Sequence, residues 1–147
     1  MYREQESLKA FIGIRRTSEN LGKVSKADVQ IHQLTINEFG VLELLYHKGC
    51  QPVQVITDKI LISNSSTTYV IDRLCQKGLV TRRKDAKDGR MFIVDLTNEG
   101  QRLISTIFPQ HAQTITQAFE CLSDEEILKL RQTLKKLSHH IENNLLK

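Results

Sequence analysis

A chain of 147 residues with 39% hydrophobic and 26% charged side chains has the size and balance of one soluble globular domain, long enough to bury a core. No apolar run approaches the ~20 residues of a membrane-spanning helix, and the mixed charges of Met1 to Phe11 are not those of a secretory leader, so the expected compartment is the cytoplasm, with no membrane partner. Three cysteines, Cys50, Cys75 and Cys121, form neither a disulfide framework nor a metal-type spacing.

The net charge of +4 is concentrated in one window. Between Arg73 and Arg90 stand seven cations (Arg73, Lys77, Arg82, Arg83, Lys84, Lys87, Arg90) and two anions (Asp85, Asp88), a local +5, so the rest of the chain sums to about −1. Such a concentration suits a surface that meets phosphates, although a solvated charged face is the plainer alternative.

In chain order, a first helix is predicted from about Glu4 to Asp28, with Leu8, Phe11, Ile12, Leu21 and Val24 on one side. Thr35 followed by Glu38 is a capping box that opens a second helix, and Gly49 suits its end. Its body, Phe39 to Tyr46, is apolar almost all round and belongs at the centre of the core. A short helix is expected over "PVQVITDKI", with Pro52 in its first turn. Over "SNSSTTYVIDRLCQKG", Thr67, Val70, Ile71, Leu74 and Cys75 share one helical face, and Gly78 fits a left-handed cap. "LVTRRK" and "MFIVDL" then flank "DAKDG", an Asp-Gly turn signal, as a β-hairpin. Two short helices followed by a hairpin make a winged helix-turn-helix. Beyond Thr97 the pattern is helical, either one helix kinked at Pro109 or two meeting there. Ser123 with Glu126 caps a last helix whose Ile127, Leu130, Leu134, Leu137, Ile141 and Leu145 resemble a coiled-coil seam. The fold class expected is mainly α with a small β-hairpin wing.

The chemistry sits on the second short helix and the hairpin. Ser63, Asn64, Ser65, Ser66, Thr67 and Thr68 are poor residues for a helix interior but favourable at a helix start. There they can donate to phosphates or read base edges, and Asn64 can pair bidentately with adenine. Arg73 and Lys77 are placed for the phosphate backbone. On the wing, Arg82, Lys84, Lys87 and Arg90 are candidates to follow the backbone into the minor groove, with Asp88 orienting Arg90 by a charge-assisted hydrogen bond.

The run "STTYVIDRLCQKGLVTRRKDAKDGRMFIVDLTNEG" resembles the MarR family of bacterial transcriptional regulators. Thr68, Asp72, Leu74, Gly78, Leu79, Val80 and Arg82 carry the resemblance, followed by Asp85, Asp88 and Arg90, then Leu96, Thr97 and Gly100. Ala86 stands where the family usually has proline. "LTINEFGVLELL" and "QPVQVITDKILIS" extend the similarity upstream, from about Leu34 to the end. The resemblance implies a homodimer on double-stranded DNA, probing a pseudo-palindrome as a repressor and released by an unknown small-molecule effector between its lobes. It divides the single domain 1–147 into a DNA-binding lobe, 33–100, and a helical dimerisation lobe, 1–32 with 101–147. "INEFGVLELLYHKG" and "QPVQ" are most similar to the members that answer quinones and other electrophiles.

Some relatives sense peroxide through a cysteine in the first helix, and residues 1–30 contain none. Cys50, in a loop, is the candidate redox-sensitive thiol, whereas Cys75 belongs to an apolar face. Phe11, Phe39 and His111 are candidates to line a pocket for an aromatic effector, though core packing accounts for the two phenylalanines equally well. His32, His47, His111, His139 and His140 are scattered without metal-ligand spacing, so neither a metal nor a cofactor is expected. No glycine-rich phosphate loop or nucleophile elbow suggests an enzyme. The remaining alternatives are a non-specific architectural DNA-binding protein and a winged helix that binds proteins.

Overall fold

The chain runs as α1 (Tyr2–Gln30), α2 (Ile36–Lys48), β1 (Gln51–Pro52), α3 (Val53–Ile60), α4 (Asn64–Gln76), β2 (Val80–Lys84), β3 (Phe92–Leu96), α5 (Asn98–Ala118) and α6 (Asp124–Asn144). These elements come from a computed structural model that describes residues 1–60 and 64–146. They form two units, Met1–Thr114 and Ile115–Lys147. The architecture is mainly helical with a small antiparallel sheet, the winged helix-turn-helix expected.

Local chemistry sets the boundaries. The Thr35 hydroxyl accepts the Glu38 N–H while the Glu38 carboxylate accepts the Thr35 N–H, so α2 starts on the full capping box. Ser123 and Glu126 repeat the device at α6. Gly78, at φ +74°, lets α4 close with Leu79 N–H donating to the Leu74 carbonyl, the Schellman pattern. Pro109 sits inside the continuous helix α5, so one helix, not two, passes through it.

The sheet differs from the hairpin expected. It has three strands in the order β1-β3-β2, with Gln51 opposite Val94 and Pro52 opposite Ile93. Pro52 therefore belongs to an edge strand, where its missing N–H does little harm, and not to the first turn of α3. Between β2 and β3 the turn is closed by Met91 N–H donating to the Asp88 carbonyl. Gly89 does not take the positive φ that an Asp-Gly hairpin turn usually uses.

The core of the first unit gathers Phe39, Val41, Leu42 and Leu45 of α2 with Ile56, Val70, Ile71, Leu74, Val80, Val94, Ile104 and Ile107. The helix that is apolar all round lies at its centre, as its sequence demands. In the second unit, α6 is amphipathic, and Leu128, Leu130, Leu134 and Leu137 each keep two-fifths or more of their surface exposed.

Candidate nucleic-acid interface

Helix α4 is oriented by what it buries. Thr67, Val70, Ile71 and Leu74 point into the core at helical spacing. Thr67 is fully buried, and its hydroxyl lies 2.9 Å from that of Thr57 on α3. The Thr57 hydroxyl donates to that of Thr67, with the Val53 carbonyl at 3.1 Å as its other acceptor, and the pair locks α3 to α4. Thr67 is thus removed from the candidate DNA contacts: a side chain with no exposed surface cannot reach a base. Ser65, Ser66 and Thr68 remain exposed on the opposite face. Of Asn64 only the backbone, as the start of α4, is described, and Ser63 lies outside the described residues. Tyr69, two-thirds exposed on the same face, was missed as a site residue; a large aromatic among polar neighbours was the available signal.

At the other end of α4, Arg73 is exposed and, among the described residues, reaches its helical neighbour Gln76 at 3.5 Å. Lys77 behaves differently. Its Nζ donates to the Gln33 carbonyl at 2.9 Å and to Glu38 Oε1 at 3.1 Å, and lies 3.0 Å from Glu38 Oε2. The Lys77 ammonium, expected from sequence to contact the phosphate backbone, is thus engaged with the α1–α2 junction in this structure. Burial pushes the Glu38 carboxyl upward, but the Thr35 N–H and the Lys77 ammonium outweigh it and hold the group below its ordinary value.

On the wing, Arg82 Nη1 lies 3.0 Å from Asp72 Oδ1 on α4, and its guanidinium sits 5.7 Å from the Phe92 ring centroid. Arg82 therefore ties the root of the wing to α4, with part of its charge neutralised. Arg83, Lys84, Lys87 and Arg90 are exposed further out, and among the described residues Arg83, Lys84 and Lys87 form no ion pair. Arg83, which belongs to the basic window but not to the wing contacts expected from sequence, is exposed as well. Asp88 Oδ1 accepts from the Arg90 backbone N–H at 3.0 Å and from its Nε at 3.2 Å. These two bonds hold the Asp88 carboxyl below its ordinary value.

The effector candidates do not come together within one chain. Phe39 and His111 are both buried, with ring centroids 4.4 Å apart. With its proton on Nδ1, His111 donates to Asp28 Oδ2 at 2.9 Å, and its Nε2 faces Glu43 Oε2 at 3.7 Å. Phe11 is exposed on α1 beside Arg15. It precedes Asp28 by nearly five helical turns, about 25 Å along the axis, and so cannot join the same pocket in the same protomer. Glu43, Gly40, His47, Lys48 and Lys59 line a groove of about 440 Å³ next to this network. Cys50 is exposed. Cys75 is partly buried, and burial with the nearby Asp72 carboxylate outweighs Arg82 to push its thiol up, which makes it a poor nucleophile.

This interface has known counterparts. The MarR family model matches residues 34–92, from the turn before α2 to the first residue of β3. HTH-type transcriptional regulator MhqR of Bacillus subtilis (strain 168) is 41% identical over 133 residues, which cover 90% of this chain and 92% of the relative. HTH-type transcriptional regulator PecS of Dickeya dadantii (strain 3937) is 31% identical, covering 77% and 70%. Among solved structures, NadR in complex with 4-hydroxyphenylacetate superposes with a TM-score of 0.76 at 27% identity, covering 86% of this chain and 89% of that one. No helix among the described residues is long and apolar enough to cross a membrane. With a winged helix-turn-helix at the matched positions and that identity along nearly its full length, the chain belongs to the MarR family of DNA-binding transcriptional regulators.

Proposed function

We propose that this protein is a cytoplasmic homodimeric repressor, and not an enzyme, that grips a pseudo-palindromic operator and lets go when a small aromatic effector binds. One observation carries the DNA reading. The Asp72–Arg82 ion pair joins the polar face of α4 (Ser65, Ser66, Thr68, Tyr69, Arg73) to a wing whose outer cations are exposed. A helix with short polar side chains at its start suits a major groove, and a cationic wing suits the phosphates beside it. Residues 33–100 would form the DNA lobe, and 1–32 with 101–147 the dimerisation lobe.

For the effector, the buried His111 between Asp28 and Glu43 is the best-supported seat. It joins α1, α2 and α5, and Glu43 also borders the groove. A planar phenol, quinone or aromatic acid offers oxygen atoms to His111 and Lys48 and a ring to Phe39. The 4-hydroxyphenylacetate bound by NadR favours this class. The exposed Cys50 is the alternative for electrophiles.

Selection of bound duplexes from a random DNA library at physiological salt tests the reading. An inverted repeat with half-sites about one helical turn apart is the expected product. Recovery of unrelated sequences would favour the architectural alternative, and recovery of none would favour a protein-binding module.

A further inference from the structure

We propose that Lys77 is a positioning residue for DNA recognition and not a phosphate ligand: it clamps the C-terminal end of α4 to the junction between α1 and α2 and so fixes the attitude of the recognition helix. This inference rests on the reading of α4 as that helix.

The Lys77 ammonium is directed inward: Nζ donates to Gln33 O at 2.9 Å and to Glu38 Oε1 at 3.1 Å, and lies 3.0 Å from Glu38 Oε2, so two of its three protons are committed within the protein. Oε1 also accepts the Thr35 N–H that caps α2. Oε2 accepts no hydrogen bond among the described residues despite its burial, so the ammonium compensates it by charge. Only 5% of the Glu38 side chain is exposed, and a carboxylate so placed needs a partner. The Gln33 carbonyl is presented by an unusual backbone. Gln33 is the one non-glycine residue with positive φ, +60°, among those described, a conformation that costs about 1 kcal/mol or more. One lysine thus bridges the last turn of α4, the turn leaving α1 and the first turn of α2.

The consequence for DNA binding is geometric. The other end of α4 is fixed by Thr67 against Thr57 and its middle by core packing, whereas its C-terminal turn is held to the α1–α2 junction by Lys77. Helix α1 leaves that junction carrying the exposed Leu8, Phe11 and Ile12. In a dimer joined through α1, the clamp would transmit the spacing of the two arms to the two recognition helices, and loss of it would let each α4 tilt.

Two variants and their double combination test this on the operator recovered by selection: Lys77→Met, which keeps the aliphatic stem, and Glu38→Gln, which keeps the α2 cap but removes the charge. Affinity is measured across a salt series, and on operators with the half-site spacing changed by one base pair. Each single variant is expected to bind about tenfold more weakly, the double no worse than either, with the salt slope unchanged and the spacing preference relaxed. Thermal unfolding above the assay temperature confirms that the variants are folded. If Lys77 were a phosphate ligand, Lys77→Met would reduce the slope by about two per dimer, while Glu38→Gln would bind as well as wild type or better, since it liberates the cation. That pattern overturns the proposal, as do variants that match wild type in both affinity and spacing preference. Glu38→Gln alone separates the two cases should Lys77→Met not fold. A wild-type protein without sequence-specific binding overturns both this proposal and the reading beneath it.

Discussion

Arg90 projects from the wing with 93% of its side chain exposed, held among the described residues by the backbone and side-chain bonds it donates to Asp88. A cation so placed contributes little to folding and is available to phosphate. Arg90→Ala should therefore leave thermal stability almost unchanged and weaken operator binding. Fluorescence anisotropy over a salt series should show the slope of log affinity against log salt reduced by about two, one unit for each wing of the dimer. An unchanged slope would remove Arg90 from the DNA contacts. At this scale residue type was legible in sequence but direction was not always. Six consecutive hydroxyl and amide side chains, Ser63 to Thr68, could be recognised as a helix start. That one of them, Thr67, turns into the core follows from helical phase, which already placed it with Val70 and Ile71. Lys77 could not be assigned from its sequence neighbours, because Glu38 and Gln33 lie some forty positions away and meet it only once α2 and α4 are packed.

Elements whose ends are written in local chemistry were legible, and those made by distant pairing were not. Both capping boxes and the Gly78 cap stand where the sequence put them. Strand β1 has two residues, too few for any periodicity, and exists because β3 has a free edge for Gln51 and Pro52. Gly100 shows the same limit. It looks like an ordinary residue in the first turn of α5, and its N–H donates to the Thr97 hydroxyl, which itself donates to the Gly78 carbonyl. A Cβ at Gly100, however, would collide with the Leu79 carbonyl, the same oxygen that accepts the Thr97 N–H. The obstacle is backbone and cannot rotate away. Gly100→Ala should lower stability by about 1–3 kcal/mol, seen as a lower urea midpoint with an unchanged m-value. A midpoint equal to wild type would mean that the α4–β2 turn and α5 can separate without cost.

For the whole molecule the open matter is what covers the apolar surface. Leu8, Phe11, Ile12 and Ile14 on α1, and Leu128, Leu130, Leu134 and Leu137 on α6, each keep two-fifths or more of their surface exposed. Rows of this kind exceed the scattered apolar residues of a monomeric surface, and each leucine fully covered would contribute about 1.5–3 kcal/mol. The spacing of Leu130, Leu134 and Leu137 made that seam legible in sequence, without Leu128; which surface meets it was not, since periodicity marks a face without naming its partner. A second copy of the chain is the partner proposed here. The buried hydrophobic core runs from Val29 to Ile107, entirely within the first unit, so a chain ending at Ser123 keeps all of it and should retain its helical circular dichroism apart from the loss of α6. Sedimentation should nevertheless show the full chain as a dimer and the shortened one as a monomer. A monomer carries one recognition helix, so it should bind an isolated half-site about as well as the full operator, whereas the intact protein prefers the repeat strongly because its second contact is intramolecular. A shortened chain that still sediments as a dimer would assign dimerisation to α1 alone and leave the α6 seam to another partner.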